Sequence, residues 1–134
     1  MALDGVVISA LANECNEKLV GARIDKIYQP EKDELIISAR SLSGAYKLLL
    51  CANPSFPRFH LTNIQKENPE KAPMFCMLLR KHLSSGKILY VKQDGMERIL
   101  RIGIESYDEM GVLSEKVIVV EIMGKHSNII LVNH

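Results

Sequence analysis

Eight short runs rich in β-branched and other apolar residues, separated by turn-forming residues, constrain the fold of this chain most strongly. Apolar and polar residues nearly alternate along them, which is typical of strands with one buried face. Asp94-Gly95 and Met110-Gly111 are short turns that favour antiparallel hairpins. Strict alternation also predicts that Ile88, Tyr90 and Lys92 share one face of their strand. The predicted strands are 23–29, 34–40, 45–52, 58–62, 87–93, 98–107, 115–123 and 128–132.

Two other segments carry apolar residues at spacings of three and four, which is typical of amphipathic helices. The first covers residues 2–18, and Gly21 follows it. The second starts near Pro73, a residue that suits the first turn of a helix, and ends at Ser84-Ser85-Gly86. Helix, strands, helix and strands in this order predict an α+β fold. The antiparallel strands fit a sandwich or an open barrel, and of these we expect an antiparallel β-sandwich flanked by two helices.

The composition is that of one globular domain. The chain has 134 residues, of which 47% are hydrophobic and 25% are charged, so wholesale disorder is excluded. No apolar run reaches the roughly 18 residues that a membrane span needs. The apolar run at residues 5–12 follows Asp4 rather than a basic segment, so we predict no signal peptide and a cytoplasmic protein. The chain stops directly after a predicted strand, and we interpret residues 1–134 as the N-terminal domain of a longer protein.

The reactive residue types lack the spacing that catalysis or metal binding requires. The three cysteines are far apart and form no CxxC pair, which favours reduced, buried thiols. The four histidines are equally scattered, so we predict no metal site and no cofactor. The chain has no GxSxG nucleophile motif, no phosphate-binding Walker loop and no GxGxxG. These residues are Cys15, Cys51 and Cys76, and His60, His82, His126 and His134.

Positive charge is concentrated in one part of the chain. Formal net charge is +1, but residues 80–101 carry six Lys and Arg against two acidic residues, and this excess predicts one basic face. Arg80-Lys81 ends the second helix, Glu97-Arg98 follows a turn, and Lys125-His126 lies in a donor-rich turn between two strands. Such groups can bind phosphates. They can equally complement a helix dipole or form solvated hairpin tips, and both alternatives stay open here.

Four motifs in order resemble the N-terminal domain of the NFACT family, whose bacterial members are often named fibronectin-binding proteins. They are Leu3-Asp4 at the start of the first helix, residues 78–83 followed by Gly86, Glu97-Arg98, and residues 121–130. Each motif is weak by itself. The resemblance extends over nearly the whole chain, and the order of the four motifs makes it specific.

The resemblance implies a ribosome-quality-control factor. Such a factor binds a large ribosomal subunit that still carries peptidyl-tRNA, and it recruits tRNA, chiefly alanyl-tRNA, for C-terminal tailing without mRNA. The family pattern has an Asp-Arg pair where this chain has Glu97-Arg98, so the acidic side chain here is one methylene longer. Asp4 fits either a tRNA contact or a helix-start residue that shapes the surface. The implied tRNA-binding residues are Asp4, Glu97 and Arg98, and the further RNA-backbone contacts are Arg80, Lys81, Lys125 and His126.

The family's N-terminal domain is also similar to that of formamidopyrimidine-DNA glycosylases, which attack with an N-terminal proline amine beside a glutamate. This chain begins Met1-Ala2-Leu3 and has neither group at that position, so the resemblance implies a non-catalytic RNA-binding domain. Two alternatives remain. One is a surface adhesin that binds host fibronectin or fibrinogen, and the other is a scaffold that orients further domains.

Overall fold

The computed structural model describes residues 5–53, 57–63, 65–93, 98–122 and 128–133. These residues form two helices and eight strands, and neither described helix is long and apolar enough to cross a membrane. The helices are α1 (Gly5–Leu19) and α2 (Met74–Leu83), and the strands are β1 (Arg23–Glu31), β2 (Glu34–Ser41), β3 (Gly44–Cys51), β4 (Arg58–Thr62), β5 (Lys87–Gln93), β6 (Ile99–Tyr107), β7 (Leu113–Glu121) and β8 (Asn128–Asn133).

The strands form one antiparallel sheet in the order β4-β3-β2-β1-β5-β6-β7-β8. The predicted α+β class, the antiparallel pairing and the two helices are confirmed. The predicted division into two sheets is not confirmed, because β1 and β5 join the two four-stranded halves at the pair Arg23 and Lys87. Backbone N–H groups of Ile24 and Ile88 cross this junction, donating to the carbonyls of Gly86 and Ala22 at 2.8 and 2.9 Å.

Helix α1 lies along β5 and runs antiparallel to it. The N–H of Gly21, just after the helix, donates to the carbonyl of Ile88 at 2.8 Å. Further back along α1, Asn16 Oδ1 accepts a hydrogen bond from the N–H of Val91, also at 2.8 Å. Gly21 has a φ of +84°, which reverses the chain into β1 at no steric cost. The N-terminal end of α1 is therefore directed towards the C-terminal end of β5.

Helix α2 packs on β1 through its apolar face. Pro73 precedes the helix in an extended conformation, as its fixed φ and missing N–H allow. Cys76, Leu79 and Leu83 form the buried face. The predicted stop at Ser84-Ser85-Gly86 is confirmed, and Gly86 is required there because a Cβ would lie 2.7 Å from Ile104 Cγ2 and 2.8 Å from a backbone carbonyl.

Both halves of the sheet and both helices contribute to one hydrophobic core. The three cysteines belong to the buried residues as free thiols, as the sequence predicted. Burial, reinforced by the charge of Glu14, raises the pKa of Cys15 to about 12. Burial also raises the pKa of Cys76, whose Sγ donates to the carbonyl of Ile27. Cys15 and Cys76 are therefore protonated and unreactive at neutral pH.

Candidate nucleic-acid interface

The register of β5 and β6 defines two opposite ends of the second half of the sheet. Lys87 pairs with Glu105 beside the junction with β1, and Gln93 pairs with Leu100 at the other end. Six residues of extended chain separate Lys87 from Gln93, which corresponds to about 20 Å. We call the first the junction end. We call the second the Arg98 end, defined by Gln93, Arg98, Ile122 and Asn128.

Arg98 is exposed at the Arg98 end, where it immediately precedes β6. Its carbonyl accepts a hydrogen bond from the N–H of Ile122 at 2.8 Å, so its backbone is tied to the end of β7. Glu97 lies outside the described residues, as do Lys125 and His126. The described residues on either side of that last pair, Ile122 and Asn128, both belong to the Arg98 end.

Helix α1 directs its N-terminal end towards the same place. From Asn16 back to Gly5 the helix rises about 16 Å, whereas β5 continues only about 7 Å beyond Val91. The helix therefore extends past the end of β5. Asp4 lies outside the described residues, and Gly5 is the first described residue after it. Three chain segments with predicted site residues thus lead to or from one end of the domain.

The structure does not place Arg80 or Lys81 at the Arg98 end. Arg80 Nε donates to the carbonyl of Ile27 in β1 at 2.8 Å. Lys81 Nζ lies 2.6 Å from Glu109 Oε1, in the turn after β6, and this pairing lowers the pKa of Glu109. The prediction of one basic face over residues 80–101 is therefore wrong, because α2 ends beside the junction and β5 then carries the chain about 20 Å away from it.

The outer face of β5 and β6 is the surface turned away from the core. In β6, Leu100, Ile102 and Ile104 are buried, so Arg101 and Gly103 lie on the outer face. In β5 both Ile88 and Val91 are buried, because the register shifts between Ile88 and Tyr90. The prediction that Ile88 shares a face with Tyr90 and Lys92 is thus wrong, since a β-bulge breaks the strict alternation.

The ring of Tyr90 lies directly over Gly103. These two residues pair across the strands, and a Cβ on Gly103 would lie only 2.2 Å from Tyr90 Cε2. Lys92 Nζ lies 4.8 Å from the centre of that ring, within cation–π range. Burial and the nearby Glu115, whose Oε2 accepts a 3.4 Å hydrogen bond from the Tyr90 hydroxyl, raise the pKa of Tyr90. The packing on Gly103, the contact with Lys92 and the hydrogen bond to Glu115 together hold the ring flat on the sheet.

Lys92 and Arg101 are a cationic pair that our sequence-based site prediction missed. They stand directly opposite each other in the register of β5 and β6, near the Arg98 end. Both lie in the basic segment, but only the pairing of β5 with β6 shows that they are neighbours. Counting outward from Asp94-Gly95 as a two-residue hairpin tip would have paired Lys92 with Glu97, so the turn motif alone did not give this register.

A cavity of about 430 Å³ lies between the β1–β2 turn, α2 and the start of β8. Glu34 on its wall is paired with Lys66 at 2.7 Å and Arg58 at 3.6 Å. Gln29 Oε1 has no hydrogen-bond partner among the described residues, but it is buried beneath the cavity surface. Among the described residues no three His, Cys, Asp or Glu side chains are grouped as metal ligands. The described surface thus offers charge and hydrogen bonds for binding.

Comparison with known proteins identifies the family. The model of the NFACT N-terminal and middle domains matches residues 4–134. The chain belongs to the NFACT family. The Rqc2 homolog RqcH of Bacillus subtilis (strain 168) is 47% identical over 131 residues, which cover 98% of this chain and 23% of that protein. The ribosome quality control complex subunit NEMF of Mus musculus is 30% identical over 95 residues, covering 71% of this chain and 9% of that protein.

Solved structures of fibronectin- and fibrinogen-binding proteins share the fold. The N-terminal structure of the fibronectin/fibrinogen-binding protein from Streptococcus suis superposes with a TM-score of 0.95 at 39% identity, covering 99% of this chain and 50% of that one. The resemblance that four motifs predicted is therefore confirmed. The chain spans about a quarter of the length of the bacterial RqcH relatives that it matches. The names of the relatives point in two directions, ribosome quality control and fibronectin or fibrinogen binding.

Proposed function

We propose that this NFACT domain binds tRNA and the large ribosomal subunit as part of a cytoplasmic ribosome-quality-control factor. The factor recruits alanyl-tRNA to a subunit that carries peptidyl-tRNA, and the stalled chain receives a C-terminal tail without mRNA. Residues 1–134 are its non-catalytic N-terminal domain. The family match and the ribosome-quality-control name of a relative support this assignment.

The observation that carries the proposal is the exposure of Arg98 beside a fixed backbone. A guanidinium can bind a phosphate through two parallel hydrogen bonds, and the Ile122 hydrogen bond fixes the point from which this side chain extends. Glu97 then orients Arg98 or accepts from a ribose hydroxyl, and Asp4 either contacts the tRNA or shapes the surface that faces it. Lys125-His126 supplies further contacts to the RNA backbone.

Arg80 and Lys81 lie away from the Arg98 end, so the RNA-backbone contacts predicted for them stay a separate prediction. Their side chains already contact β1 and Glu109, and α2 ends beside the junction end. A cation at a helix C-terminus also complements the helix dipole, which gives both residues a role in stability.

The proposed role is non-catalytic, as the resemblance to the NFACT family implies. Met1-Ala2-Leu3 supplies no proline amine and no adjacent glutamate. The likeness of the fold to the N-terminal domain of formamidopyrimidine-DNA glycosylases stays a prediction. The appropriate check is a superposition with a glycosylase domain, combined with an excision assay on oxidised DNA.

Replacing Arg98 tests the tRNA assignment. Arg98→Ala in the parent protein should abolish alanine tailing, and in this chain it should weaken tRNA binding by about tenfold or more, since a charge-assisted hydrogen bond is lost. Melting should change by no more than about 2 °C, because the side chain is exposed. Arg40→Ala is the matched control, since Arg40 is exposed and pairs in register with Arg23 near the junction end.

Tailing that persists in Arg98→Ala contradicts the contact role, and so does unfolding of the variant. An Arg40→Ala variant that loses tailing equally contradicts it as well, because the effect would then follow overall charge rather than position.

Fibronectin or fibrinogen binding is the second candidate function. It is supported by the name of the Streptococcus suis protein, whose N-terminal structure has the same fold as this chain. Cell fractionation separates the two candidates. Co-sedimentation of the parent protein with free large subunits supports the ribosomal role, and its removal from intact cells by external protease supports the adhesin.

A further inference from the structure

Two cations face each other across β5 and β6 close to the Arg98 end. Lys92 is exposed, Arg101 is half-buried, and the two residues are a directly opposed pair. Like charges directly opposite in a sheet destabilise it. The same two strands pair Lys87 with Glu105 at the junction end, which is the arrangement that favours folding. Lys92 and Arg101 are thus cross-strand neighbours, close enough for one anionic ligand to contact both side chains.

Tyr90 fixes one of these cations in place. Its ring is held over Gly103, and Lys92 Nζ lies 4.8 Å from the ring centre. Cation–π attraction restricts where the long lysine side chain can go, which lowers the entropy lost when it binds a phosphate. The outer face thus presents a partly ordered ammonium rather than a freely moving one.

Acidic side chains limit the cationic surface on its other side. Glu105 and Glu115 pair directly across β6 and β7, towards the junction end, and Tyr90 lies between them and Lys92. A polyanion is therefore attracted near Arg98 and repelled beyond Tyr90. Arg98 immediately precedes β6 and is three residues, about 10 Å of extended chain, from Arg101. The outer face is therefore positive near the Arg98 end and negative towards the junction end.

We propose that the RNA backbone bound at Arg98 continues over the outer face of β5 and β6, with Lys92 and Arg101 contacting its phosphates. The path ends before Glu105 and Glu115 and does not reach the C-terminal end of α2. This inference rests on the proposed function, since it takes tRNA as the ligand. It adds two phosphate-binding residues and excludes the junction end from the interface.

The salt dependence of tRNA binding tests the path. Fluorescence anisotropy of a labelled alanine tRNA transcript, titrated with this chain at several KCl concentrations, gives the slope of log Kd against log salt. Each lost phosphate contact lowers the magnitude of that slope by about one. Lys92→Gln should lower it by about one, and the Lys92→Gln/Arg101→Gln double variant by about two.

Lys87→Gln is the matched control. Lys87 is an exposed lysine on the same strand, but it lies at the junction end opposite Glu105, so its loss should leave the slope unchanged. Thermal melting reports on folding. Lys92→Gln removes both the repulsion from Arg101 and the attraction to the Tyr90 ring, so the melting temperature should stay within about 2 °C.

The outcomes separate this inference from the proposed function. Wild-type chain that does not bind the transcript overturns both. Binding that Arg98→Ala weakens while the Lys92 variant keeps the full salt slope leaves the proposed function standing and makes the path wrong. An equal loss of slope in Lys87→Gln also makes the path wrong, because the attraction would then be that of net charge alone. If the double variant melts early, the Lys92→Gln variant decides the question.

Discussion

Gly103 is the position at which one added methyl group should reveal the packing of the outer face. A Cβ there would lie 2.2 Å from Tyr90 Cε2 and 2.4 Å from Cζ, far inside van der Waals contact. The φ of Gly103 is not in the left-handed region, so the backbone itself accepts alanine. The whole cost of Gly103→Ala therefore comes from moving the Tyr90 ring off the sheet.

Two opposing effects set the magnitude. Forcing the ring to move costs about 1–3 kcal/mol as an overpacking effect, and losing the contact with Lys92 adds about 0.5–1 kcal/mol. Alanine itself gains about 0.5–1 kcal/mol over glycine within a strand, because the unfolded chain loses freedom. Gly103→Ala should thus lower the free energy of unfolding by about 1–3 kcal/mol. In a Tyr90→Ala background the same change should raise it by about 0.5–1 kcal/mol.

Urea denaturation followed by circular dichroism of wild type, the two single variants and the double variant measures this cycle. The expected sign reversal corresponds to a coupling of about 2–4 kcal/mol between positions 90 and 103. If Gly103→Ala is equally destabilising when Tyr90 is alanine, the ring is not what fills the space. The described position of the Tyr90 ring, and with it the ordering of Lys92, would then be wrong.

Two further predictions concern buried groups away from the interface. Cys15 should resist iodoacetamide at pH 8 in the folded chain and react with it in urea. The free energy of unfolding should fall as pH rises from about 9 to about 12, since only the thiol of the unfolded chain ionises in that range. A Cys15→Ala variant that keeps the same pH dependence would contradict this cause. Glu34→Gln should lower the free energy of unfolding by about 1–3 kcal/mol in urea denaturation, because its buried carboxylate holds Lys66 and Arg58. The exposed Glu31→Gln should change it by less than about 0.5 kcal/mol, and an equal loss there would argue against the buried pairs.

Local turn chemistry made the elements predictable. The bounds of β4 and β5 are those predicted, residues 58–62 and 87–93, because turn or proline residues flank both strands. The first strand was predicted to end at residue 29, but β1 continues through Pro30 to Glu31. Its partner β2 resumes pairing at Glu34 after a register shift, so the missing N–H of Pro30 falls in an irregular part of the ladder.

The pairing and register of strands that are distant in sequence could not be predicted. Nothing in the local pattern indicates that Arg23 meets Lys87 and joins the two halves into one sheet. The bulge before Tyr90 likewise depends on how β5 registers with β6, and periodicity alone describes an unpaired strand. The basic segment shows the same limit, since the length of β5 separates the end of α2 from the Arg98 end by about 20 Å.

The two ends of β5 and β6 differ in what their charges achieve for folding. At the junction end, Lys87 opposes Glu105, and the pairing stabilises the free domain. Near the Arg98 end, Lys92 opposes Arg101, and the direct opposition of two like charges destabilises the free domain. Like-charged pairs also occur near the junction end, at Glu105 with Glu115 and at Arg23 with Arg40, so it is the position of the Lys92–Arg101 pair close to Arg98 that points to an anionic partner. A polyanion that contacts both side chains removes the repulsion on binding, so the feature that weakens the free domain strengthens the complex.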